Sequence, residues 1–145
     1  MKKPKVRKFR DKFQLAEAAA LEFEAVALNA SAKKKIFSVA LSGGSTPALF
    51  FQNLSVKQID WNYVHLYWGD ERCVPPDHGD SNYLMTRRLL LDKISIPEWN
   101  VHRIRGEDVP AEEASRYAGE ILRTVSPGDG GVPRFDWIFL GLGSD

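Results

Sequence analysis

The alternation of apolar and polar positions divides the chain into helices and short strands. Leu15, Ala19, Phe23, Val26 and Ala30 recur at three- and four-residue steps, the spacing of one helix face, and predict a helix to about Ala32. Asp11, with Gln14 three residues on, has capping-box spacing at its start. Ile36 to Leu41 is a short apolar run that reads as a buried strand, followed by S-G-G-S-T-P and a helical stretch to about Leu54. Val64 to Trp68 is a second buried strand and ends in G-D-E-R. Ser81 is placed to cap a helix through Leu91, Val101 to Ile104 is a third strand, and Glu112 to Val125 is helical. Phe135 to Leu140 is the fourth strand.

Strands alternating with helices predict an α/β fold of βαβ units, with a mainly parallel sheet covered on both faces. Right-handed crossovers then bring the turn after each strand to one sheet edge. That edge would carry Ser42 to Thr46, Gly69 to Arg72 and Gly141 to Asp145. In open α/β sheets ligands gather at such an edge.

Composition narrows the partners. The 145 residues suit one domain, 1–145, and 43% hydrophobic against 27% charged residues is ordinary for a globular protein. A net charge of +1 gives no global field directed at nucleic acid or membrane, and no apolar stretch reaches membrane-span length. Lysines and arginines do crowd residues 2–12, but Val6 and Phe9 interrupt them, which suits a short edge strand with solvated basic faces better than a binding arm. Cys73 is the single cysteine, so a cytoplasmic, disulfide-free protein is the expectation. His65 and His102 fall in strands and read as structural. His78, between Asp77 and Asp80, is too sparsely accompanied for a closed metal site, so no metal is expected. Trp61, Trp68, Trp99 and Trp137 are expected to fill the core.

The turns carry the candidate chemistry. Gly43 and Gly44 allow a tight turn and close approach of a ligand, Ser45 or Thr46 can cap the next helix, and Pro47 suits its first position. Free N–H groups at that helix start suit a phosphate or carboxylate; a turn capped by its own hydroxyls explains the sequence equally well. After the second strand, Asp70 and Glu71 can accept protons or hydrogen bonds and Arg72 can grip a phosphate; alternatively, Arg72 neutralises its own neighbours. Asp145, after G-L-G-S, could orient a histidine or bind a ligand hydroxyl.

Three stretches, V-A-L-S-G-G-S-T-P, W-G-D-E-R-C-V-P-P-D-H followed by D-S-N-Y, and F-L-G-L-G-S-D, resemble the 6-phosphogluconolactonase family in order and spacing. S-G-G-S-T-P alone is shared with glucosamine-6-phosphate deaminases, which usually carry an aromatic residue where this chain has Arg72. The resemblance implies a three-layer α/β/α sandwich with a mostly parallel, Rossmann-like sheet. It implies hydrolysis of 6-phosphoglucono-1,5-lactone without metal or organic cofactor, by a monomeric enzyme whose partner is a small sugar phosphate. Gly43, Gly44, Ser45, Thr46 and Arg72 would bind the substrate, with Ser81 and Asn82 in the pocket wall and Asp70 and Asp145 in catalytic positions. In the family a Gly-His follows directly, and its histidine is the general base. The resemblance therefore implies that these residues are the first part of a lactonase, inactive alone and with apolar surface left uncovered. The alternatives are a deaminase-like enzyme and a non-catalytic sugar-phosphate-binding domain.

Overall fold

The computed structural model describes residues 4–141. Strands β1 (Phe37–Leu41), β2 (Val64–Trp68), β3 (Val101–His102) and β4 (Trp137–Ile138) form one parallel sheet in the order β3-β2-β1-β4. The helices are α1 (Lys12–Ala32), α2 (Ser45–Leu54), α3 (Asn82–Leu89) and α4 (Pro110–Thr124). Register pairs Phe37 with Val64, Val39 with Leu66 and Leu41 with Trp68, so these side chains share one face. There they join Phe23, Phe50, Phe51 and Trp61 in the larger core, beneath α1, α2 and α3. Tyr67 points to the other face and packs with Tyr117 and Ile121 of α4, Val125 and Phe135. The expected α/β/α sandwich is therefore present.

Strand order reverses at β1, because β2 and β3 extend to one side of it and β4 to the other. A crevice forms at such a switch point, beyond the carboxyl ends of the strands. Asp136 fixes the entry of β4, its carboxylate accepting from the Ser38 amide at 2.9 Å and the Ser38 hydroxyl at 2.8 Å. Ile138 and Leu140 are 53% and 87% exposed.

Local details depart from the pattern-based expectations. The most deeply buried residues of α1 are Ala16, Ala20, Phe23 and Ala27; of the expected face Phe23 is in the core and Ala19, Val26 and Ala30 pack against it, while Leu15 is 37% exposed. Alanines let α1 lie close to α2, and its leucines remain at the margin. Residues 4–11 form no strand; Arg7 pairs instead with Glu22 at 2.9 Å. Trp99 is 78% exposed, because its turn directs Asn100 inward to donate to the Trp61 and Asn62 carbonyls.

Candidate functional site

The turn after β1 is built by its glycines. Gly44, at φ 110, caps α2 without a side-chain bond, and the helix begins at Ser45. Ser45 and Thr46 are thus first-turn residues rather than caps, and Pro47 is the third helical residue. Gly43 is required sterically: a Cβ there would lie 2.0 Å from Asn82 Oδ1. Ser42 to Thr46 and Phe139 to Gly141, with Phe50 behind them, line a cleft of about 540 Å³ at the switch point. The first expected turn and Gly141, the first residue of the third, therefore share one crevice. Asp145 lies outside the described residues.

The turn after β2 opens onto a neighbouring cleft of about 440 Å³. Asp70, Arg72 and Cys73 face Arg105, Gly106 and Tyr117 across it. Arg72 is exposed and has no ion pair among the described residues, so it does not neutralise its neighbours. Glu71 is engaged elsewhere. Its carboxylate accepts from the amides of Arg72 (2.8 Å), Asn82 (2.7 Å) and Tyr83 (2.9 Å) and from the Ser81 hydroxyl (2.9 Å). It thereby satisfies free N–H groups in the first turn of α3, while Ser81 caps that helix through the Leu84 amide as expected.

Asn82 joins the two clefts. Its side chain is buried, fills the space beside Gly43 and donates from Nδ2 to the Asp70 carbonyl at 3.1 Å. The β1 turn, the β2 turn and α3 are thus one packed unit.

Several residues of this region carry no local sequence signal. The Tyr117 hydroxyl accepts from the Trp68 amide at 2.9 Å and lies near the Trp68 and His102 carbonyls. Burial pushes that phenol well above its usual range, so it stays protonated. Glu113 is buried, and the Arg116 guanidinium hydrogen-bonded to it holds its carboxyl below the usual range. Gly106 meets the Arg72 carbonyl so closely that a Cβ would stand 2.1 Å from it. A helical period can suggest that Tyr117 is buried; its bonds to β2 and β3 arise only on folding.

The histidines lie apart from this machinery. His65 Nδ1 is 3.0 Å from His102 Nε2, and His102 Nδ1 is 2.7 Å from Glu120, on the α4 side of the sheet. His78 Nδ1 accepts from the Asp80 amide. The structural reading of His65 and His102 fits these bonds. Among the described residues no group of three or more His, Cys, Asp or Glu side chains could hold a metal ion. No described helix is long and apolar enough to cross a membrane.

Comparison with known proteins gives a consistent result. A family model described as glucosamine-6-phosphate isomerases/6-phosphogluconolactonase matches residues 10–145. The 6-phosphogluconolactonase of Aggregatibacter actinomycetemcomitans is 45% identical over 111 residues, 74% of this chain and 46% of that protein. The solved structure of Trypanosoma brucei 6-phosphogluconolactonase superposes with a TM-score of 0.87 at 28% identity, covering 99% of this chain and 61% of that one. A solved structure described as devB protein gives 0.80 at 41% identity, covering 88% and 55%. The chain spans about half the length of the curated relatives it matches. With its sheet order, its glycine-built turn and these matches in agreement, the chain belongs to the glucosamine-6-phosphate isomerase/6-phosphogluconolactonase family.

Proposed function

We propose that the protein to which these residues belong hydrolyses 6-phosphoglucono-1,5-lactone to 6-phosphogluconate. The observation that carries this reading is the pairing of an anion-suited cleft at the switch point with an exposed Arg72 on the adjoining turn, without an ion pair among the described residues. Relatives named 6-phosphogluconolactonase support it further.

In this reading Gly43, Gly44, Ser45 and Thr46 hold the phosphate at the start of α2, where amides and the helix dipole favour an anion. Arg72 adds a charge-assisted contact, and Asn82 keeps the two turns in register. Asp70 lies beside the sugar. Phosphate binding, remote from the reacting carbon, orients the lactone carbonyl. A general base takes a proton from water as the oxygen attacks that carbonyl; the ring C–O bond then breaks and the alkoxide is protonated. His65 and His102 are held on the α4 side, and His78 is held in its own loop. The base is assigned to the histidine that the resemblance places after Asp145, with Asp145 orienting it. An ester carbonyl is electrophilic enough to need no cofactor. We place the activity in the cytoplasm, in a monomer acting on a small sugar phosphate without nucleic acid or membrane.

The test offers the full-length protein 6-phosphoglucono-1,5-lactone and, separately, glucosamine 6-phosphate. Enzyme-dependent formation of 6-phosphogluconate above the buffer rate supports the proposal. Ammonia release from glucosamine 6-phosphate without lactone turnover supports the deaminase reading, and binding without either reaction supports a non-catalytic domain.

A further inference from the structure

Glu71 lies within the D-E-R turn and is among the residues lining the second cleft, yet its carboxylate is engaged at the start of α3. All four of its hydrogen bonds are accepted, three from backbone amides and one from a hydroxyl. They fall on Arg72, which precedes the cleft residue Cys73, and on Ser81, Asn82 and Tyr83, ten to twelve positions further along. An ionised carboxylate is the one side chain of this size that offers only acceptors, so it suits this array of donors. From Asn82 the linkage continues in two directions, to the Asp70 carbonyl through Nδ2 and to the β1 turn through Oδ1 against Gly43. The arrangement makes a continuous path from one half-buried carboxylate to the β1 turn, the β2 turn and the start of α3.

We propose that Glu71 is a positioning residue for the site: through Asn82 and the Arg72 amide it sets the D-E-R turn against the Gly43 turn, and so fixes where Arg72 meets the substrate's phosphate. The kinetic part of this inference rests on the lactonase reading; the structural coupling does not. Glu71→Gln keeps the shape of the side chain but replaces one acceptor oxygen with an NH2 group facing N–H donors. Some of the four donors then lose their partner.

The first experiment compares the amide NMR spectra of the full-length protein and its Glu71→Gln variant. Resonances of Gly43 and Gly44 should shift along with those of Arg72 and Ser81 to Tyr83. Shifts confined to residues 71–84, with Gly43 and Gly44 unmoved, would overturn the coupling. The second measures lactone hydrolysis by the full-length protein below its unfolding temperature. Glu71→Gln should lower kcat/KM at least tenfold, chiefly by raising KM, and Glu71→Asp, which keeps both acceptor oxygens, should recover part of the loss. Turnover within twofold of the unaltered protein would overturn the positioning role. Should Glu71→Gln fail to fold, Asn82→Ala, which cuts the same linkage at its next member, must still shift Gly43 and raise KM; no change in either would overturn the proposal. If the unaltered full-length protein does not hydrolyse the lactone, the lactonase reading fails, and the amide spectra alone decide the coupling.

Discussion

Asn82 Oδ1 occupies the space that a Cβ on Gly43 would need, 2.0 Å from where that atom would lie, and ties the start of α3 to a turn 39 positions earlier in the sequence. Gly43→Ala must therefore displace a buried side chain that also holds the Asp70 carbonyl. Overpacking of this kind costs about 1–3 kcal/mol. Urea unfolding should show that loss for Gly43→Ala, and Gly43→Ala with Asn82→Ala should be less destabilised than the two separate losses summed. Simple additivity in this double-mutant cycle would mean that the two residues do not share the space.

Arg72→Ala separates binding from stability. The guanidinium is exposed and has no ion pair among the described residues, so its loss should leave the thermal midpoint within about 2 °C, as for a surface substitution of up to roughly 0.5 kcal/mol. A charge-assisted contact to phosphate is worth about 1.5–3 kcal/mol. Steady-state kinetics of the full-length variant should accordingly show kcat/KM for the lactone reduced by roughly ten- to a hundredfold.

Tyr117→Phe should do the reverse and act on the fold. Its hydroxyl accepts from the buried Trp68 amide, and removing it strands that donor at a cost of about 1–3 kcal/mol. A lower urea midpoint with an unchanged denaturant slope is the expected result.

The pair of histidines on the α4 side predicts a pH dependence. Burial, and then the charge of neighbouring His102, holds His65 below the ordinary histidine value. Stacked Tyr67 and, through His102, Glu120 and its partner Arg116 complete the surroundings. Burial alone would raise the Glu120 carboxyl, but its bonds to His102 and Arg116 prevail and hold it below its usual range. A histidine with a depressed folded pKa contributes stability that is complete above its unfolded value, about 6.5, and is lost as pH falls through the folded value. Thermal midpoints should drop as pH is lowered from about 6.5. The part of that drop due to His65 should disappear in His65→Gln.

What the sequence made legible follows the range of the interactions. Val64 to Trp68 is a strand over the whole span its apolar run suggests, since an interior parallel strand is buried on both faces. The Asp11 cap was equally readable, because its bond to the Gln14 amide is local. The buried face of α1 was readable in part: Phe23, Ala19, Val26 and Ala30 lie in or against the core, but close packing gave the deepest positions to Ala16, Ala20 and Ala27 and left Leu15 exposed. The strand-end turns pointed to Gly43 and Arg72 and the family resemblance to Asn82, but the roles of Glu71 and Tyr117 depend on partners 10 to 12 and 49 positions away. No local pattern encodes such pairings. The D-E-R turn, which could be read as self-neutralising, is instead divided, with Glu71 bonded to the start of α3 and Arg72 exposed and without an ion pair among the described residues.

The central claim is that the Gly43 turn and Arg72 together hold a sugar phosphate. The most direct measurement is an amide NMR titration of the full-length protein with 6-phosphogluconate, the product of the proposed reaction. Saturable shifts centred on Gly43 to Thr46 and on Arg72, weakened by Arg72→Ala, are the predicted result. Saturable binding that leaves those amides unmoved, or no binding at millimolar ligand, would contradict the account.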